Sequence, residues 1–212
     1  MSENYIKVDG EPDGFEGGAV RYSKKGKGRF DLIPPEVVYL LIGYGELRFA
    51  KQDVVDISKA DILRDAYIDD PKRYIETVVD MVIYQWAPSE IIDNKFNIKR
   101  VRYDDFLYGL CLMLKDLALH YEYGAEKYGV DNWKHGIPLT GGDRGGSFTD
   151  SGLRHLNQYL LLEDDEKHDV SCVWNFVNAI YLQIHETKSE DPVVHQNIKD
   201  VIGDADPYEF GD

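Results

Sequence analysis

Two glutamates one helical turn apart lie in the stretch HYEYGAEKYGVDNWKHGIP, residues 120–138. On a helix, the i, i+4 spacing of Glu122 and Glu126 puts both carboxylates on one face, where they can share an oxygen-preferring divalent ion such as Mg²⁺. Counting back from Glu122 by turns leads along the apolar stripe of its own helix, where an unpaired carboxylate is costly and needs a nearby cation or metal. The alternative is a surface pair near a helix end, partnered by Lys127.

A second acidic group, LEDDEKHD, spans residues 162–169. Most of its acids suit a solvated link whose charge complements the N-terminus of the following helix. A metal site with carboxylates from two helices needs only one or two of them. We predict Glu163 and Asp165 as metal ligands beside Glu122 and Glu126.

A different metal chemistry is suggested by the adjacent pair His168-Asp169. Such a pair is the core of HD-type metal phosphohydrolases, which need further ligands, and His155 and His120 are available for this. The sequence contains no Ser-His-Asp set, zinc-type Cys/His spacing or dinucleotide fingerprint.

Cations and polar residues suited to a phosphate occur in GKGRFDLIPPE, residues 26–36. The segment lacks the glycine spacing and terminal Lys-Ser/Thr of a Walker loop. Lys27 still offers a point charge and Arg29 a bidentate fork for phosphate oxygens.

Further along the chain, aromatic and polar side chains suit a nucleoside. Tyr128 and Trp133 could stack on a base, although both rings could also simply pack the loop. Arg154 and His155 begin a helix after a glycine-rich loop, which suits anion contact. Asn175 interrupts an apolar helix, where it is either a satisfied core amide or a reader of a base or sugar hydroxyl.

Helical periodicity dominates the elements that must position these residues. The pattern predicts an all-α fold with no convincing sheet. Helices are predicted from Pro35 to about Phe49, after a Ser58 cap, from Pro71 through Gln85, from Phe106 to Tyr128, over 150–163, and to about His185; residues 96–106 are a short strand or a loop. Residues 1–20 are predicted to be an extended arm, 21–186 the domain, 50–105 an insertion within it, and 187–212 an acidic tail.

Composition limits the class of protein. The 212 residues include 43% hydrophobic side chains and carry a net charge of −15, which argues against nonspecific binding to nucleic acid or membranes. No apolar run is long enough to span a bilayer, and the first residues have neither a basic leader nor an apolar segment. Cys111 and Cys172 lie in apolar helical patterns, which favours buried free thiols and a cytoplasmic protein.

The order of four sequence words resembles a known family. GKGRFDLIPPE, HYEYGAEKYGVDNWKHGIP, LRHLNQYLL and HDVSCVWNFVNAI follow one another as in the phage dATP/dGTP diphosphohydrolases, a MazG-like group of all-α nucleoside triphosphate pyrophosphatases that includes the MazZ proteins. The resemblance covers residues about 20–49 and 106–186. It implies a MazG-like helical bundle, a homo-oligomer, and Mg²⁺-dependent cleavage (with Mn²⁺ as a substitute) between the α- and β-phosphates of purine deoxynucleoside triphosphates.

The resemblance also assigns roles to residues. It implies substrate contacts for Lys27, Arg29, Asp31, Lys127, Tyr128, Asn132, Trp133, Arg154, His155, His168 and Asn175. It suggests a place in 2-aminoadenine genome synthesis, in the host cytoplasm. MazG enzymes carry paired Glu-x-x-Glu and Glu-x-x-Asp motifs, whereas this chain has a pair spaced by four and no acidic pair in its last helix.

The resulting hypothesis is that carboxylates hold Mg²⁺ on the triphosphate and activate a water, with Glu122 and Glu126 catalytic and Glu126 as general base. HD-type phosphohydrolase chemistry is one alternative. A non-catalytic acidic protein that mimics nucleic-acid charge is another.

Overall fold

The computed structural model describes residues 12–14, 20–22, 26–66, 71–89, 91–93, 98–139 and 147–186. The predicted arm falls almost entirely outside these residues, and so does the acidic tail. Most of the glycine-rich loop after Leu139 is also outside them.

Helices make up most of the described chain, which confirms the all-α prediction. They are α1 (Pro35–Phe49), α2 (Lys59–Ala66), α3 (Pro71–Met81), α4 (Tyr103–Tyr128), α5 (Phe148–Leu160) and α6 (His168–Glu186). A π-helical turn, Val82–Trp86, continues α3, and 3₁₀ turns occupy Phe30–Leu32 and Asn132–Lys134. Each predicted helix is present, with bounds within about three residues of those expected.

Local capping explains where several helices begin. Pro35 is the first residue of α1, where a missing N–H costs nothing. Before α2, Ser58 Oγ accepts the Asp61 N–H at 3.3 Å, and the Asp61 carboxylate accepts the Ser58 N–H at 2.9 Å, a capping box. Ser147 Oγ likewise accepts the Asp150 N–H at the start of α5.

Two small sheets were not predicted. Strands β3 (Val54–Ser58), β4 (Ile91–Asp93) and β5 (Ile98–Arg102) form an antiparallel sheet in the order β3-β5-β4, and β1 (Pro12–Gly14) pairs antiparallel with β2 (Val20–Tyr22). In β3, Val55 and Ile57 are each 1% exposed and alternate with more exposed neighbours, as a half-buried strand requires. Three strands of three to five residues are too short to give a strong period-two signal.

The core is formed where α3, α4 and α5 surround α6. Phe176 on α6 is fully buried and stacks on Tyr74 of α3 with ring centroids 5.5 Å apart. The close approach of α5 depends on Gly152, since a Cβ there would lie 2.8 Å from the Phe176 ring. The 50–105 segment therefore contributes to the central packing through α3.

The cysteine prediction is half correct. Both thiols are free, and Cys172 is buried, but Cys111 is exposed because it lies on the outer side of α4. Among the described helices, none has the length and apolarity needed to cross a bilayer.

Candidate functional site

A cavity of about 510 Å³ opens between α4, α5, α6 and the turn after α4. We call it the central cavity. Its lining residues lie between His120 and Ile137 on one side and between Ser151 and Asn175 on the other, with Leu32 from the N-terminal loop. The volume lies within the range of small-molecule sites, about 300–1,000 Å³.

Seven of the predicted substrate residues line this cavity together. They are Lys127, Tyr128, Asn132, Trp133, Arg154, His155 and Asn175. The remaining predicted site residues, Lys27, Arg29, Asp31, His168, Glu122, Glu126, Glu163 and Asp165, are not part of its lining. Their functional roles stay predictions.

Glu122 makes a contact that the sequence analysis did not foresee. Its Oε1 accepts the Gly26 N–H at 2.7 Å, and its Oε2 accepts the Gly28 N–H at 2.8 Å. Both carboxylate oxygens thus hold the N-terminal loop against α4. The direct partners of this carboxylate are two backbone donors, and the expected cation nearby is Arg29, with which Glu122 interacts electrostatically. Glu126, one turn further, is exposed.

The loop that Glu122 holds is docked closely on α4. Gly28 has φ +82°, and a Cβ there would lie 2.8 Å from Ala118 Cβ. Next in the chain, the Arg29 N–H donates to the Ala118 carbonyl at 2.9 Å. The Arg29 guanidinium forms a salt bridge to Asp31 at 2.7 Å, so this predicted phosphate ligand already has an anionic partner.

Aromatic rings form the inner wall of the cavity. Trp133 is 6% exposed and packs edge-on against Tyr181 with centroids 5.0 Å apart. Among the described residues, its indole N–H has no hydrogen-bond partner, so a buried donor is available at the cavity wall. Tyr128 is exposed at the mouth, where Lys127 Nζ lies 4.8 Å from its ring centre.

Two histidines and one carboxylate converge at the side of the cavity. His155 Nδ1 lies 3.1 Å from His168 Nδ1 and 2.9 Å from Glu166 Oε1, and His168 Nδ1 lies 3.4 Å from the same oxygen. On its other side, His168 Nε2 lies 2.7 Å from Asp165 Oδ1. His155 and Glu166 line the cavity, whereas His168 stands behind them with a side chain 2% exposed.

These contacts divide the predicted acidic ligands. Glu163 and Asp165 form one group of possible metal ligands with His168, and His155, Glu166 and His168 form a second. Neither group includes Glu122 or Glu126. The four carboxylates predicted to share metal ions are therefore not brought together.

The HD-type prediction is met only in part. His155 and His168 do converge, but the Asp169 carboxylate accepts a hydrogen bond from Gln85 Nε2 at 2.9 Å, away from the histidine pair. An HD site needs both members of the His168-Asp169 pair as ligands. The geometry separates them.

The fixed charges lining the cavity cancel. Lys127 and Arg154 face Asp131 and Glu166, and two histidines add no charge when neutral. Burial lowers the pKa of His120, against a smaller opposing effect of Glu166. Burial also lowers the pKa of His155, with Arg154 acting in the same direction.

Glu166 and Trp174 were not predicted to act, and His120 was considered only as a further ligand for HD-type chemistry. Glu166 lies among several acidic residues in the sequence, and only its contact with His155 in the structure distinguishes it from those neighbours. Trp174 fitted the apolar stripe of α6, and its ring lies 5.5 Å from that of His120. No pattern in the sequence predicts that His120, on α4, lies against residues of α6.

Comparison with protein families links the site to the sequence resemblance. Residues 92–192 match the family described as dATP/dGTP diphosphohydrolase, N-terminal. This match confirms the resemblance for the second half of the chain; residues about 20–49, which also carried it, lie outside the matched part. Comparison with curated proteins and with solved structures gave no match.

Proposed function

We propose that the chain is a hydrolase that converts purine deoxynucleoside triphosphates into monophosphates and pyrophosphate in the central cavity. The proposal starts from the family match. One observation carries the proposal: every residue that lines the cavity, except Leu32, falls within the matched residues 92–192. The matched residues and the lining of the central cavity thus lie in the same part of the chain, and a concave site of this kind is where a substrate is expected to bind.

The aromatic inner wall suits the purine. Trp133 and Trp174 provide flat apolar surface, and the buried indole N–H of Trp133 can donate to a ring nitrogen or carbonyl oxygen. Asn175 uses its Nδ2 to donate to the Ser171 carbonyl at 2.8 Å. Its amide oxygen is then the group that accepts from a purine amino substituent.

The mouth of the cavity suits the phosphates. Lys127 and Arg154 are the cations of its lining, and Arg154 offers a bidentate fork for phosphate oxygens. In the proposed reaction, a water oxygen bonds to the α-phosphorus while the bond from that phosphorus to the α,β-bridging oxygen breaks. Pyrophosphate leaves, and the water releases a proton.

His120 is the proposed acceptor of that proton. It lines the cavity, and the lowered pKa keeps its imidazole neutral near pH 7. A neutral ring nitrogen can accept a proton, which the exposed Glu126 is less well placed to do because it does not line the cavity. We therefore place the general base at His120 and give Glu122 the task of holding the loop.

The expected Mg²⁺ does not fit the predicted ligand set. Mg²⁺ requires several oxygen ligands in a near-octahedral arrangement. Both oxygens of Glu122 are engaged by backbone amides, and Glu163 and Asp165 group with a histidine instead of with the α4 carboxylates. The phage setting, the 2-aminoadenine pathway and a homo-oligomer stay expectations from the resemblance.

A nucleotide panel tests the proposal. The purified chain is incubated with each deoxy- and ribonucleoside triphosphate and divalent cations, and products are separated by anion-exchange chromatography. We expect dGMP or dAMP plus pyrophosphate. Nucleoside plus tripolyphosphate would instead support HD-type chemistry, and no hydrolysis together with no thermal shift by any nucleotide would support the non-catalytic alternative.

A matched pair of variants localises the activity. Arg154→Gln removes a cation at the cavity mouth, whereas Arg100→Gln removes an exposed cation on β5 that pairs with Asp56 at 3.1 Å. We expect the first to raise KM at least tenfold and the second to leave kinetics unchanged. Equal kinetics in both variants would place the site elsewhere.

A further inference from the structure

We propose that His155, Glu166 and His168 form a binding site for one divalent transition-metal ion at the wall of the central cavity, and that this site prefers Mn²⁺, Fe²⁺, Co²⁺ or Zn²⁺ to Mg²⁺. Two imidazole nitrogens with one carboxylate oxygen are typical ligands of these ions, whereas Mg²⁺ favours oxygen alone. The preference follows from the donor set.

The spacing of the three ligand atoms matches a shared ion. Their separations are 2.9, 3.1 and 3.4 Å. Ligand atoms about 2.1 Å from one ion, at angles of about 90–110°, lie about 3.0–3.4 Å from one another. The three atoms thus already stand at distances required by octahedral or tetrahedral coordination.

Asp165 selects the tautomer of a neutral His168 that a metal requires. The Asp165 carboxylate only accepts, so the 2.7 Å contact places the proton of a neutral His168 on Nε2. The Nδ1 lone pair then points toward His155 and Glu166. A carboxylate behind a ligating histidine is a recurrent feature of metal sites, where it orients the ring and strengthens the ligand.

For a neutral His168, hydrogen bonding alone explains the cluster less well. With His168 Nδ1 unprotonated, its lone pair lies 3.4 Å from the Glu166 oxygen, and that contact is repulsive without a cation between them. A single proton on His155 Nδ1 cannot donate well to both neighbours at once. An ion bonded to all three atoms converts each of these contacts into attraction.

At this location, the ion can also bind water or a molecule in the central cavity. His155 and Glu166 line the cavity, while the buried His168 closes the site from behind. Coordination positions on the cavity side can therefore be taken by water or by an oxygen of a bound molecule. The use of the ion on a phosphate rests on the proposed function, whereas its binding does not.

Cobalt binding tests the site without any nucleotide. The full-length chain is stripped with EDTA, dialysed, and titrated with Co²⁺ while visible absorption and calorimetry are recorded. We expect one ion per chain with ligand-field bands of a nitrogen-containing site, and no displacement by a hundredfold excess of Mg²⁺. Displacement of Co²⁺ by equimolar Mg²⁺ would overturn the preference.

Variants identify the ligands. His155→Gln and Glu166→Gln are made at partly exposed positions, and Asp164→Asn and His135→Gln, exposed and outside the cluster, serve as matched controls. We expect each ligand variant to weaken Co²⁺ binding at least tenfold with an unchanged far-UV circular dichroism spectrum, and the controls to bind normally. Normal Co²⁺ binding in both ligand variants would overturn the site.

A positioning variant gives an independent readout. Asp165→Asn should weaken Co²⁺ binding about 10–100-fold while retaining the bands, because it loosens the histidine without removing a ligand. An Asp165→Asn protein that binds Co²⁺ as tightly as the parent would contradict the tautomer argument. Metal binding without hydrolysis of any nucleotide would refute the proposed function alone, and hydrolysis without Co²⁺ binding would refute this site alone.

Discussion

Replacing Glu122 by glutamine separates the role of loop anchor from that of metal ligand. In the folded chain, the two carboxylate oxygens accept the N–H groups of Gly26 and Gly28 at 2.7 and 2.8 Å. Glutamine keeps one oxygen, and its NH₂ group turns toward a backbone donor. One charge-assisted hydrogen bond is lost, and the other is weakened because the remaining acceptor is neutral.

The geometry sets the size of the effect. Hydrogen bonds to charged groups contribute about 1.5–3 kcal/mol each, but the partial exposure of Glu122 reduces the electrostatic share. We expect Glu122→Gln to lower the free energy of unfolding by about 2 kcal/mol. For a chain of this size, such a loss lowers the melting temperature by about 4–8 °C.

Thermal unfolding in EDTA, followed by circular dichroism, makes the measurement without any metal contribution. Glu126→Gln is the matched control: the same substitution one turn further along α4, at an exposed side chain, should change stability by less than about 0.5 kcal/mol. A Glu122→Gln protein that melts at or above the parent temperature in EDTA, and that is stabilised less than the parent by Mg²⁺ in a second scan without EDTA, would refute the anchor role and support a metal ligand.

Three further predictions concern the same helices. Gly26→Ala and Gly28→Ala both force alanine to a positive φ, but only the second places a Cβ against Ala118. In urea unfolding, Gly28→Ala should therefore lower the free energy of unfolding by about 1–3 kcal/mol more than Gly26→Ala does. Equal losses would contradict the close docking of the loop on α4. Tyr121→Phe removes the 2.6 Å hydrogen bond to Asn178 and leaves a buried amide oxygen without this donor. The free energy of unfolding should therefore fall by about 1–3 kcal/mol. An unchanged midpoint in urea unfolding would argue against that hydrogen bond. Burial lowers the pKa of His120, so the unfolded chain binds a proton at a pH where the folded chain does not, and the free energy of unfolding should fall as the pH drops below about 6.5. In melting curves measured at several pH values, His120→Gln should make this decline less steep. An unchanged slope would mean that His120 does not cause the decline.

The helices were predictable because local signals agreed with packing. Pro35 and the Ser58 cap fixed two starts, and the leucine periodicity of α4 continued until Gly129, which has φ +97°. The three-stranded sheet was not predictable, because its strands have only three to five residues and β5 pairs with β3, from which residues 59–97 separate it. Pairing over such separations leaves no periodic trace in the chain itself.

The site was predictable to the extent that its residues were adjacent in sequence. Lys127, Tyr128 and Trp133 lie in one stretch and do line one cavity. The helical pattern correctly predicted that the Glu122 carboxylate has partners, because it lies on an inward-facing stripe. It could not predict that these partners are backbone amides 94 and 96 residues away. Backbone donors carry no residue type, so no motif search can find them.

Buried charge explains why the fold extends beyond the matched residues. Asp80 on α3 is fully buried and forms a salt bridge with Arg48 of α1, while Glu76 accepts a hydrogen bond from Tyr44 of α1 at 2.8 Å. Removing α1 would break this buried ion pair, a cost of about 3–5 kcal/mol. Removing α3 would uncover Phe176, whose ring stacks on Tyr74 of α3. Since α6 supplies both Asn175 and His168, the helices before residue 92 determine where the cavity wall stands even though they contribute almost nothing to its lining.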